Sequence, residues 1–233
     1  MTEPAGDSRA VTVPQSRTFD VLGMNLDGDV AVPEDPTAVV LFLRGLNEHR
    51  DDKRDLRVAN LLNDARIATV RVDLLTAAEQ RIDAATAELR FNADLLGVRT
   101  IALIDLIAAE HPIARLPGGL FGSHSACAAA LIAAAARPRW VRAIAAASGR
   151  PDLAGEFLLI AHAPTLLAVG EYDTKLREIN EDAADRIAGP ARVAVIPDVG
   201  HQFDDPSAQT LVAQLCGDLF RELLRVKAAQ RVR

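Results

Sequence analysis

Long apolar runs, cysteines, aromatic residues and any excess of positive charge are all scarce in this sequence. No stretch reaches the roughly 18 consecutive apolar residues of a membrane span, and the opening MTEPAGDSRA carries acids where a secretion signal needs a basic and then an apolar stretch. Neither insertion nor export is expected, and no membrane partner. Two cysteines, Cys127 and Cys216, lie far apart in helix-like context, which makes no disulfide framework and suits a reducing cytoplasm. One Trp, one Tyr and seven Phe leave little for a base-stacking surface, and a net charge of −6 gives no field to hold a phosphate backbone. Nucleic acid is therefore not an expected partner. Gly118, Gly119 and Gly122 form neither GxGxxG nor GxxxxGK, so no dinucleotide or nucleotide cofactor is expected.

What is present is a 49% hydrophobic chain of 233 residues, whose Ala, Leu, Val and Ile suit helices packed closely on a sheet. Residues 1–10 and 227–233 read as polar tails and 11–226 as one α/β domain. Buried-strand patterns occur at Val39–Leu43, Ile67–Val72, Gly119–Phe121, Ala143–Ala147, Thr165–Val169 and Val193–Ile196. Between them, apolar residues at three- and four-residue spacing predict helices over Asp55–Asn63, Asn92–Glu110, Ala126–Arg137, Lys175–Ile187 and Pro206–Arg225. This alternation predicts a mostly parallel sheet flanked by helices on both faces. Ahead of it, Thr18–Leu22 and Val30–Val32 around Asn25-Leu26-Asp27-Gly28 predict an antiparallel hairpin at the N-terminal edge.

In such a sheet ligands gather at the carboxyl ends of the strands. The residues there are Arg44-Gly45-Leu46-Asn47-Glu48-His49, then Gly122-Ser123-His124-Ser125-Ala126, then Gly170-Glu171-Tyr172-Asp173, then Asp198-Val199-Gly200-His201.

From about Thr18 to Leu224 this arrangement resembles the α/β-hydrolases, specifically the dienelactone hydrolase-like branch without a lid domain. That fold carries a nucleophile on a sharp strand-to-helix turn of the form small-x-nucleophile-x-small, followed along the chain by an acid and a histidine. The resemblance makes Asp173 the acid and His201 the histidine. It also makes Gly149–Leu153 and Leu74–Thr76 connecting loops, and it places the backbone N–H groups of Leu46 and Ser125 at the oxyanion hole. The elbow departs from the pattern, because His124 stands where the serine belongs. A one-residue shift would instead make Ser125 the nucleophile, within Ser123-x-Ser125-x-Cys127. A second departure is Arg44-Gly45 in place of the family's His-Gly.

A serine hydroxyl is a weak nucleophile until an imidazole removes its proton, and a carboxylate fixes that imidazole's tautomer. With His124 at the elbow three readings stay open: direct attack by a neutral imidazole, activation of water by His201, or loss of hydrolysis in favour of ligand binding or a non-hydrolytic acid/base step. The expected activity is hydrolysis of a small ester, thioester or lactone. Its substrate is a small molecule, anionic if Arg44 or Arg50 meets a carboxylate, and the protein is expected to be a monomer or homodimer. Cys127 falls about one helical turn past the elbow and is expected to serve packing. Glu48, His49, Asp51 and Asp52 with His124 and His201 lack a tight ligand spacing, so no metal is expected. His111 and His162 are assigned no role.

Overall fold

A computed structural model describes residues 12–45, 53–109 and 113–224. The tails at 1–10 and 227–233 therefore lie outside the described residues. The strands are β1 (Gln15–Val21), β2 (Met24–Ala31), β3 (Ala38–Arg44), β4 (Ile67–Asp73), β5 (Gly118–Ser123), β6 (Val141–Ala147), β7 (Thr165–Gly170) and β8 (Ala191–Ile196). The helices are α1 (Lys53–Asp64), α2 (Ala77–Thr86), α3 (Ala93–Ala109), α4 (Ala126–Ala136), α5 (Thr174–Arg186) and α6 (Pro206–Leu223), with a 3-10 segment at Pro151–Ile160.

One eight-stranded sheet runs in the order β1-β2-β4-β3-β5-β6-β7-β8. From β4 across to β8 every pairing is parallel, whereas β1 on β2 and β2 on β4 are antiparallel. The alternation of side chains along β3 divides the core in two. Val39, Leu41 and Leu43 join the layer formed with α3 and α4, while Val40 and Phe42 join Val58, Leu62, Val212 and Phe220 of α1 and α6. Both faces of the parallel strands are thus covered, as their continuous apolar runs require.

α4 reads ACAAALIAAAA and is buried from Ala126 to Ala134. Small side chains let it lie close to its neighbours: a Cβ added to Gly97 of α3 would stand 2.7 Å from the Ile132 side chain.

The N-terminal hairpin is present, but its turn differs from the sequence-based expectation. Leu22 and Gly23, both with positive φ (57° and 76°), form a two-residue turn with Val21 opposite Met24. Gly28 is instead inside β2, where a Cβ would lie 2.4 Å from the carbonyl oxygen of Arg71 on β4. That glycine serves close strand approach, not chain reversal.

α2 was not legible as a periodic stretch, yet its start is written in Thr76-Ala77-Ala78-Glu79. The Thr76 hydroxyl oxygen accepts from the Glu79 N–H while the Glu79 carboxylate accepts from the Thr76 N–H, a capping box. Glu79 also receives the guanidinium of Arg99 at 2.6 and 2.9 Å, and Arg99, buried in α3, donates further to the Leu74 carbonyl at 2.7 Å. The Arg99 hydrogen bonds lower the Glu79 carboxyl from its usual 4.5 to about 2. A depressed carboxyl favours the folded chain above its unfolded value and loses that contribution as protons bind. Thermal stability is therefore expected to fall as pH drops from about 4.5 to about 2. Glu79→Gln should flatten that part of the profile and cost about 2 kcal/mol at neutral pH, as differential scanning calorimetry against pH would reveal.

Candidate active site

Three of the four strand ends singled out above converge. Between β5 and α4 the chain turns within two residues, and His124 carries the turn at φ 50°. A left-handed conformation costs a non-glycine residue on the order of 1 kcal/mol or more, so it persists only where the surroundings impose it. Here the His124 carbonyl accepts from the N–H groups of Cys127 (3.3 Å) and Arg150 (2.8 Å). Gly122 allows the helix to start so early, since a Cβ there would lie 2.7 Å from the Ala126 carbonyl oxygen.

Ser125, one residue on, has ordinary helical angles (φ −68°, ψ −22°). Its hydroxyl is buried without a hydrogen-bond partner among the described residues, packed so that a Cβ on Gly45 would stand 3.1 Å away. The strained elbow position is thus 124. The Ser125 Oγ is shielded from solvent.

Asp173 stands between β7 and α5. One carboxylate oxygen accepts from the Leu176 N–H at 3.3 Å and caps the helix, and the other lies 2.7 Å from Nδ1 of His201. An ionised carboxylate only accepts, so the proton of this pair is assigned to Nδ1 and Nε2 is the basic nitrogen. His201 follows β8 on a loop that crosses the end of β7, and a Cβ on Gly170 would meet the Gly200 carbonyl oxygen at 2.3 Å. The loop is braced by the Ser148 hydroxyl, which donates to the His201 carbonyl at 2.5 Å, and by the Tyr172 N–H, which donates to Val199 C=O at 3.0 Å.

The His124 and His201 rings stand 4.9 Å apart between centroids and are tilted by 60°. They border a cavity of about 280 Å³ together with Asp173, Ser125, Arg150 and Lys175, and with the apolar side chains of Phe91, Leu176 and Ile179. Arg150 is engaged by Asp152 through two hydrogen bonds of 2.8 and 2.7 Å, which hold its guanidinium more firmly protonated. The helical ladder of α4 begins with the Cys127 N–H. The N–H groups of Ser125 and Ala126 therefore stay outside it, as at any helix start.

Other expected residues fall elsewhere. Arg44 does not meet the cavity: its side chain is 1% exposed and pairs with Asp73 at 2.9 Å. A guanidinium at the end of a buried strand needs a carboxylate partner inside the protein, and the neighbouring β4 supplies one. Cys127 is fully buried against Gly149, where an added Cβ would touch it at 2.8 Å, and burial pushes its thiol far up, away from thiolate. Burial likewise pushes the Cys216 thiol up to about 12. Leu46, Glu48, His49, Arg50, Asp51, Asp52 and His111 lie outside the described residues, and His162 is exposed away from the cavity. Among the described residues no group of three or more His, Cys, Asp or Glu side chains is placed to hold a metal ion, and no helix is long and apolar enough to cross a membrane.

The sequence did not single out Ser148 or the apolar trio, and Arg150 figured in it only as part of the Gly149–Leu153 connecting loop. Ser148 and Arg150 follow the end of β6, a strand end that carries no histidine. Phe91 comes from the segment between α2 and α3, a connection whose path only the fold reveals.

No family model matches this chain. A solved structure of a dienelactone hydrolase from Anabaena variabilis is 38% identical and superposes with a TM-score of 0.87, over 92% of this chain and 100% of that one. This chain belongs to the dienelactone hydrolase family. The same fold, at 18% identity and a TM-score of 0.71, is seen in a dienelactone hydrolase-like promiscuous phosphotriesterase from metagenomic libraries, covering 92% of this chain and 99% of that one. In Mycobacterium tuberculosis, two strains carry a protein 39% identical over 193 residues, 83% of this chain, under a provisional phosphoribosyl transferase name. This member of the dienelactone hydrolase family spans only 43% of those proteins' length.

Proposed function

We propose that this dienelactone hydrolase family member hydrolyses a small ester, thioester or lactone. The observation behind the proposal is the Asp173–His201 hydrogen bond of 2.7 Å beside His124 at the elbow. In the proposed mechanism a neutral His124 nitrogen attacks the acyl carbonyl, and His201 Nε2 takes the proton released from the His124 ring. His201 then passes that proton to the departing alcohol or thiol. The Ser125 N–H donates to the oxyanion. The acyl-imidazole so formed is itself reactive, and water deprotonated by His201 releases the acid and restores His124. Substrates are small molecules of a size to suit a cavity of about 280 Å³. Two buried thiols fit work in the cytoplasm.

A panel of small acyl esters, thioesters and lactones tests this, combined with fluorophosphonate labelling and peptide mapping. Turnover by the unmodified protein without an adduct on Ser125, lost by about 10²-fold or more in His124→Ala, is the expected result. His124→Ser should become labelled at position 124. An adduct on Ser125 of the unmodified protein that vanishes in His201→Ala would mean a shifted serine elbow instead. Absence of turnover across the panel would favour the second reading, a hydrolase scaffold turned to ligand binding or a non-hydrolytic acid/base step. Two departures from the family pattern motivate that reading: His124 for serine, and Arg44 for histidine ahead of Gly45.

A further inference from the structure

We infer that Ser148 is a positioning residue: although it does not border the cavity, its hydroxyl fixes where the His201 ring stands against Asp173 and His124. The kinetic consequence rests on the hydrolase reading above, whereas the effect on the Asp173–His201 pair does not.

Ser148 opens the bend between β6 and the 3-10 segment, and consecutive residues of that bend bond to each part of the site. The Ser148 N–H donates to the Ala168 carbonyl of β7 at 2.9 Å, and the Ser148 hydroxyl donates to the His201 carbonyl at 2.5 Å. The Gly149 carbonyl accepts from Nδ2 of Asn180, in the helix that Asp173 caps, at 3.0 Å. The Arg150 N–H donates to the His124 carbonyl at 2.8 Å. The main chains at His124 and His201, distant in sequence, are thus both fastened to one short bend. The 4.9 Å between their rings is spanned from anchors only two residues apart.

Two observations separate Ser148 from an ordinary loop serine. It is wholly buried, and its φ is 48°, in the left-handed region that suits glycine. A serine holds such a conformation only where the surroundings impose it. Glycine would relieve the backbone, yet it offers no hydroxyl to the His201 carbonyl. The His201 loop has weaker support of its own, since the bond from the Phe203 N–H to the Gly200 carbonyl is long at 3.5 Å. The serine is therefore the firmer hold on residue 201. Through that hold the ring meets Asp173 at 2.7 Å with Nδ1, which leaves Nε2 as the basic nitrogen. Without the hydroxyl the loop gains freedom, the contact with Asp173 loosens and the Nε2–H tautomer, useless as a base, becomes populated. Misplacing a reacting group by about 1 Å costs up to about 10²-fold in rate.

Ser148→Ala and Ser148→Gly in the full chain test the inference. In both, kcat on the best ester of the panel should fall by about 10–10²-fold while KM stays close to that of the parent chain. Glycine accepts a positive φ and alanine does not, so the glycine variant should melt no lower than the alanine variant. A purely structural serine would let activity follow that order, whereas a lost hydroxyl lowers both alike. Ser148→Cys, with a weak S–H donor in the same place, should fall between serine and alanine. Long-range proton–nitrogen NMR spectra of the imidazoles, taken above their titration range, supply a readout that needs no substrate. His201 should be the Nδ1–H tautomer in the parent chain and a mixture of tautomers in the alanine and glycine variants, its signals being those lost in His201→Ala. If the alanine variant does not fold, the glycine and cysteine variants carry the test. Unchanged kcat in a folded Ser148→Gly chain, or a His201 tautomer the same in it as in the parent, overturns the inference. A parent chain that turns over no ester defeats the hydrolase reading alone, and the tautomer then decides this one.

Discussion

Replacing His201 by alanine is expected to lower kcat/KM on the best ester of the panel by about 10²–10⁴-fold, the range lost when a positioned general base is removed. The reason is specific to the geometry. His201 is the imidazole bonded through Nδ1 to Asp173, and it faces His124 across 4.9 Å, so in the proposed mechanism attack and acyl release both pass through its Nε2. The side chain is 40% exposed, and its removal opens little of the core, so thermal melts should move by no more than a few degrees. Asp173→Asn should also depress kcat, because an amide can donate to Nδ1 and stabilise the wrong tautomer. That variant retains a side-chain oxygen able to cap α5, so activity and stability separate. Steady-state kinetics with a melt on each variant decide it. A loss of about threefold or less in a folded His201→Ala protein would sink the assignment of His201 as base.

The second large effect concerns stability. Arg44→Ala should destabilise the fold by about 3–5 kcal/mol, the usual cost of stripping one partner from a buried ion pair, since Asp73 would keep its charge in a site only 11% exposed. At temperatures where the variant is still folded, its KM for carboxylate-bearing and neutral esters should match that of the parent chain. Chemical denaturation gives the first quantity and kinetics the second. Unchanged stability with a KM raised only for anionic esters would restore Arg44 as a substrate anchor.

Much of this fold was legible in the linear chain because each parallel strand is a short apolar run and each helix repeats its apolar residues every three or four positions. Val39–Leu43, Thr165–Val169 and Ala126–Arg137 were all placed within a few residues of the observed elements. The hairpin turn was misplaced because Gly28 resembles a turn glycine, while its real reason, the approach of β4, lies more than forty residues away. α2 escaped because its signal was a cap and not a period: only Asp83 of its ten residues is buried. The side chains of the candidate site follow the same division. His124, Asp173 and His201 could be named from their order after strands, whereas Arg44 also follows a strand and turns into the protein.

The chain by itself determined the βα alternation, the residue types at the strand ends and their order, all of them local properties of short segments. Tertiary structure decided which side chains share the cavity. It brought the Asp173 and His201 loops together over the end of β7, buried the Ser125 hydroxyl beneath Gly45, paired Arg44 with Asp73 and set the imidazoles 4.9 Å apart. Those outcomes depend on close approaches between distant backbones and on where buried charge can find a partner, and neither is written in any one stretch of residues.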